Sequence, residues 1–309
     1  AAGTLCTAIF LTVLYVRRRE SGGTCSLSFW RYGRLAFPVA LGGCLTAALS
    51  TANDTLIPIT LRQSGDSASR ALEQFGTFEG VVIPVLFFPS TMLCALSGIL
   101  IPEIARANAA GNQRRVCQLT ERVIQLTLIF AILIAAILLK FGGRVGYWMD
   151  GGTLSGKMIR ILAPVVPFIY LEIVLEALLK GMGKQNFSSL NYLAEYVIRI
   201  CVVLIFIPLF GFYGIVASYY TSNVFGNCNR LRMAAKTANM PFHPGKLLGK
   251  PLFAVVFSFA VAALPELFCP ALRERAVGMV LFLGIALPLY VLVFWLLRER
   301  HTWVTCREW

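Results

Sequence analysis

Charge is what this 309-residue chain has least of. Asp, Glu, Lys and Arg make up 14% of it, while 57% is hydrophobic and the mean hydropathy is +0.72. A soluble domain carries about a quarter charged residues, so an ordinary water-soluble globule is excluded. Histidine is scarcer still: His243 and His301 are the two in the sequence. Both fall in segments read as cytoplasmic, so no histidine is expected to serve a proton relay or a general base within the membrane. The sequence has no GxxxxGK[ST], no GxSxG and no HExxH. It therefore offers no phosphate-binding loop for nucleotide, no nucleophile elbow and no zinc-protease helix. No enzyme activity is expected. The nine cysteines include no CxxC pair, so neither a zinc site nor a redox pair is expected. Acids are few beside bases, 15 against 28, for a net charge of +13. In a soluble chain that excess would suggest nucleic acid. Here the cations stand between apolar runs, where the positive-inside rule accounts for them. No nucleic-acid partner is expected, and the lipid bilayer is.

What the chain has is a series of apolar runs. Nine are long enough to read as helices: 1–16, 35–61, 78–101, 123–139, 161–179, 190–210, 212–229, 251–268 and 276–297. The expected fold class is all-α, a polytopic transmembrane helical bundle. The first run is short for a span of about 20 residues and reads as the end of a helix that begins upstream. A signal peptide is the alternative, but its cations would precede the apolar run instead of following it. Alternating the loops from this first run puts 19 of the 28 Lys and Arg on one side and 8 on the other, with Arg199 inside a span. That bias makes the richer side cytoplasmic and the C-terminus internal. Only Cys269 then lies outside, so no external disulfide within the chain is expected.

The most informative stretch is 163–226. A connector KGMGKQN at 180–186 and a charge-free connector at 208–214 divide three apolar runs. Inside the middle run stand Tyr192, Glu195, Tyr196 and Arg199, spaced i, i+3, i+4 and i+7 and so on one helix face. An ionisable pair in an apolar span is expensive in lipid. Two readings stay open for Glu195 and Arg199: an i, i+4 ion pair that packs the bundle, or a contact for substrate or coupling ion. Glu172, Glu176 and Lys180 share a second face, read as a solvated stripe near the cytoplasmic end. Asn53 and Asp54, late in the second span, are either helix-end polar groups or cavity contacts. Glu79 reads as a charge at a helix N-terminus. Arg34, with Arg31, is either a positive-inside anchor or a phosphate contact at the inner mouth. Segment 103–122 reads as an amphipathic cytoplasmic connector whose arginines meet anionic lipid heads.

Larger patterns carry a family resemblance. RYGRLAFPVALGGCLTAALSTANDTLIPITLRQSG, followed by QFGTFEGVVIPVLFFPSTMLCALSGILIPEIARANAAGN, resembles the seventh and eighth helices of the MOP flippase superfamily. The stage V sporulation protein B-like, polysaccharide-biosynthesis branch is the nearest. ALLKGMGKQNFSSLNYLAEYVIRI and PLFGFYGIVASYYTSNVFGN are similar to its tenth to twelfth helices. The resemblance runs from about residue 31 onward. It implies a MATE-like fold of fourteen helices, of which this chain would hold the sixth to the fourteenth. Residues 1–30 would end the first lobe, 31–236 would form the second six-helix lobe, and 237–309 would supply two accessory helices and a cytoplasmic tail. The missing N-terminal lobe of the same protein would be its partner. The implied activity is flipping of a lipid-linked oligosaccharide or peptidoglycan precursor, a polyprenyl-pyrophosphate-linked glycan, across the cytoplasmic membrane by alternating access. It would serve envelope or spore-cortex synthesis and need no cofactor beyond a possible coupling ion. The residues expected to face substrate are Arg34, Asn53, Asp54, Glu79, Glu195 and Arg199. The alternative is an ion-coupled MATE-type multidrug exporter.

Overall fold

Prolines decide where the long helices bend. The computed structural model describes residues 2–18, 29–65, 67–150, 152–240, 244–268 and 276–297. One span begins at α3 (Ala68–Thr77) and passes through a wide π-turn at Phe78–Val82. It continues as α4 (Ile83–Phe87), a tight 3-10 turn at Phe88–Ser90, and α5 (Thr91–Ala109). The π-turn ends two residues before Pro84 and the tight turn contains Pro89. Each proline lacks an N–H and crowds the turn before it, so the helix rewinds there. A second broken span repeats the device: α7 (Thr153–Leu162), a 3-10 turn at Ala163–Val165 holding Pro164, and α8 (Val166–Gly181). Tyrosines from neighbouring helices cover carbonyls beside two of these breaks. Tyr170 donates to the Leu86 carbonyl at 3.0 Å, and Tyr220 to the Ile161 carbonyl at 2.8 Å. Without water, unpaired carbonyls there would cost several kcal/mol.

The remaining helices are α1 (Ala2–Arg18), α2 (Phe29–Gln63), α6 (Gln113–Asp150), α9 (Gln185–Phe210), α10 (Phe212–Thr237), α11 (Pro244–Ala262), α12 (Leu264–Phe268) and α13 (Ala276–Leu296). Among the described residues there is no strand. Each of the nine expected runs falls on helix. Six helical stretches are long and apolar enough to cross a membrane: Ala68–Ala109, Gln113–Met149, Thr153–Gly181, Gln185–Phe210, Leu248–Phe268 and Val277–Leu296. The protein is an all-α, multi-pass membrane protein.

Two segments expected as connectors are helical instead. Segment 103–122 is the end of α5 and the start of α6, joined by a three-residue turn at 110–112. Lys140, Arg144, Lys157 and Arg160, expected in an outer loop, lie on α6 and α7. Charge placed at helix ends extends past the bilayer, and sequence hydropathy alone stops a helix where its apolar run stops. The KGMGKQN connector divides its glycines between two tasks. Gly183 supplies the turn, with φ of 73°. Gly181 supplies contact, because a Cβ there would stand 2.8 Å from Ile104 of α5. The α9–α10 connector is shorter than the sequence suggested: a single residue, Gly211, with φ of 56°.

The chain divides into two compact units. Residues 1–41 hold α1 and the opening of α2; residues 42–309 hold the remainder. In the larger unit α8 is central and packs against α5, α6 and α10, with Val174, Leu175, Leu178 and Leu179 fully buried. α9 lies along α10, and α11 packs on both α13 and α6. α9 is built inside out. Leu190, Val197, Leu204, Ile205 and Leu209 are exposed, while Ser188, Asn191 and Glu195 are buried. In lipid an exposed apolar face costs nothing, and association rests on close packing and polar contacts between helices.

Candidate functional site

The buried face of α9 meets an equally polar face of α10. Ser218, Ser222, Asn223, Gly226, Asn227 and Arg230 are buried on α10 at helical spacing. Between these two helices and α8 lies a cluster of ionisable side chains. At its centre is Arg230, whose side chain is 0% exposed. Its Nη2 stands 2.9 Å from Glu195 Oε2 and 3.5 Å from Glu172 Oε1. The guanidinium lies over the Tyr192 ring, 4.2 Å from its centroid, an arrangement that stabilises a desolvated cation. Its Nε and Nη1 have no hydrogen-bond partner.

Glu195 joins Arg230 to the next cation. Its Oε1 is 3.6 Å from Arg199 Nη2. Arg199 also donates from Nε to Ser222 Oγ at 3.0 Å and lies over the rings of Tyr219 and Tyr196 at 4.6 and 5.2 Å. On the other side of Arg230, the Tyr192 hydroxyl donates to Glu176 Oε2. Glu176 in turn pairs with Lys180 at 2.6 Å. Glu172, Glu176 and Glu195 thus balance Lys180, Arg199 and Arg230. A neutral cluster is the arrangement that low dielectric tolerates.

Gly226 makes the cluster possible. A Cβ at this position would overlap Glu195 Oε2 and lie 2.7 Å from its Cδ. Asn191 donates to the Gly226 carbonyl at 3.1 Å and so ties α9 to α10 at the same level. A cavity of ≈ 280 Å³ opens beside the cluster, lined by Glu172, Glu176, Lys180 and Tyr192 together with Phe87 and Ser97.

The expected site residues are only partly brought together. Glu195 and Arg199 do pair, but Glu195 holds Arg230 more closely. Glu79 lies within electrostatic reach of both Asp54 and Arg199. Glu79 is not at a helix N-terminus as expected: the helix starts eleven residues earlier, at Ala68 under the Ser67 cap, and Glu79 sits in the π-turn. Asn53 is buried and donates to Asp54 Oδ1 at 3.2 Å. Asp54 itself is exposed. The Arg34 side chain lies outside the described residues.

Glu172 and Glu176 are not a solvated stripe; their side chains are 19% and 20% exposed and both belong to the cluster. Arg230 was expected among the cytoplasmic anchors because it follows the last apolar residues of its run. The signal that finds it is the i, i+4, i+8, i+12 series Ser218, Ser222, Gly226, Arg230, which continues one polar face beyond the apolar run. Among the described residues no group of three or more His, Cys, Asp or Glu could hold a metal ion. The cluster's chemistry is exchange of ionic partners. An anion that binds a guanidinium competes with the carboxylates for it, and a cation that binds the carboxylates competes with Lys180 and the guanidiniums.

Comparison with known proteins agrees with the motif resemblance. The chain is similar to Stage V sporulation protein B of Bacillus subtilis (strain 168), with 23% identity over 173 residues, 54% of this chain and 33% of the relative. It is also similar to Sporulation protein YkvU of the same organism, with 24% identity over 137 residues, 44% of this chain and 31% of the relative. The matched stretch thus spans about a third of each relative's length. No family profile matches the chain, and no solved structure does.

Proposed function

We propose that this chain is part of a membrane transporter that flips a polyprenyl-pyrophosphate-linked glycan across the cytoplasmic membrane, with its C-terminus inside. The observation that carries the reading is Arg230. It is a fully buried cation that spends one nitrogen on two carboxylates and leaves Nε and Nη1 unpartnered. Guanidinium donors in a fixed fork suit the oxygens of a phosphate group. In this reading Glu172 and Glu195 hold the guanidinium in the empty state. The pyrophosphate replaces them when the helices rearrange, and the carboxylates return as the head group leaves. Ionic exchange of this kind resets the site without covalent chemistry. Alternating access would come from rocking against the lobe that the resemblance places upstream. The similarity to two sporulation proteins supports a role in envelope or cortex synthesis.

Reconstituted full-length protein tests this with a fluorescent polyprenyl-pyrophosphate disaccharide and a membrane-impermeant quencher. Arg230→Gln should slow translocation at least tenfold, whereas Arg106→Gln, an exposed control on α5, should not. A folded Arg230→Gln protein flipping at the unmodified rate would remove the proposal. One observation favours the cation exporter as a second reading: Asp54 and Glu79 stand together near Tyr219 and Phe78. If that reading holds, Asp54→Asn with Glu79→Gln abolishes efflux of a cationic dye and leaves lipid flipping absent in all variants.

A further inference from the structure

A second basic site lies at the opposite end of the larger unit from the Gly183 turn. Lys140 and Arg144 stand one turn apart on α6, and Lys157 and Arg160 stand one turn apart on α7. Where the helices cross, Gly143 of α6 faces Gly156 of α7, and the Arg160 guanidinium occupies the space over Gly143. A Cβ there would stand 2.7 Å from Arg160 Cζ. The small residue lets the Arg160 guanidinium lie over α6. Two cavities, of ≈ 450 and ≈ 740 Å³, share both arginines as walls. Glu266 is the one carboxylate among the described residues that line either of them, and it pairs with Lys140 at 2.8 Å. Lys140 also lies over the Phe282 ring at 3.5 Å. Arg144 Nη1 is buried without a hydrogen-bond partner. Tyr147 and Trp148 line the wider cavity and are exposed, as aromatic residues at a membrane interface are.

We propose that Arg144 and Arg160 form a binding site for a phosphate ester, filled by the head group of an anionic phospholipid or by a soluble phosphate. Two like charges facing the same two cavities with a single carboxylate among the described lining residues call for an anion there, and the orphaned Arg144 donor points to where it sits. A lipid head group would anchor the α6–α7 end at the bilayer surface. The site is remote from the Arg230 cluster and does not depend on what the chain transports.

The test is arginine modification by phenylglyoxal in delipidated, detergent-solubilised full-length protein, read residue by residue by peptide mass spectrometry. The probes are short-chain phosphatidylglycerol and inorganic phosphate. Phosphatidylglycerol should slow modification of Arg144 and Arg160 roughly tenfold and leave the exposed Arg62 unchanged. Protection by the lipid alone identifies a head-group site, and protection by both probes identifies a general phosphate site. Protection by neither overturns the proposal on the unaltered protein, with no variant needed. A second measurement follows lipid retention by native mass spectrometry. Arg144→Gln with Arg160→Gln should lose bound phosphatidylglycerol about tenfold. Retention equal to the unmodified protein in a folded double variant would also overturn the proposal.

Discussion

Glu195→Gln is the sharpest probe of the buried cluster. The carboxylate stands 2.9 Å from Arg230 and 3.6 Å from Arg199. At an effective dielectric of about 20, these contacts correspond to gross attractions of about 6 and 5 kcal/mol. Desolvation of the three buried ions offsets most of that. Replacing the acid by an amide keeps the shape and leaves two guanidiniums short of a counter-charge, with Arg230 resting on Glu172 at 3.5 Å. Breaking a buried pair from one side costs about 3–5 kcal/mol, and that is the expected loss of stability. Glu176→Gln is the matched control. Its partner Lys180 is 40% exposed, solvent screens that pair, and its removal should cost below about 1 kcal/mol. Unfolding by sodium dodecyl sulfate in mixed micelles, followed by circular dichroism, measures both. The double variant Glu195→Gln with Arg230→Gln should cost less than the two single changes together, by about 2 kcal/mol. Strict additivity, or a Glu195→Gln loss no larger than that of Glu176→Gln, would refute the claim that this acid neutralises two buried cations.

Three other outcomes follow from the packing. Gly226→Ala drives a methyl into Glu195 and should destabilise by about 1–3 kcal/mol, whereas Gly98→Ala, with open space around it, should be neutral or stabilising in the same unfolding assay. Tyr170→Phe removes the hydroxyl that covers the Leu86 carbonyl and should cost about 1 kcal/mol, with faster amide exchange at 86–90 as the local signature. Asn191→Leu removes the tie to the Gly226 carbonyl, and inter-helix distances between spin labels on α9 and α10 should broaden; an unchanged distribution would assign that hydrogen bond no part in holding the pair.

Much of the fold was legible in the sequence because a membrane imposes strong rules on it. An apolar run of span length has one stable form in lipid, so the six spanning stretches among the described residues follow from hydropathy alone, and Pro84, Pro89 and Pro164 mark where they bend. Helix ends were less legible. Charged turns such as 103–115 prolong α5 and α6 after the apolar signal has ended. The polar stripe on α9 announced a buried pair, since Glu195 and Arg199 share a face by spacing alone. What sequence could not decide was the partner. Arg230 lies 31 positions after Arg199, beyond the last apolar residue of its run, and becomes central only because Gly211 folds α10 back along α9 and Gly226 lets the two helices touch. Local spacing fixes which residues share a face of one helix. Which face meets which is a long-range packing outcome, and there the tertiary structure turned a loop anchor into the most buried cation among the described residues.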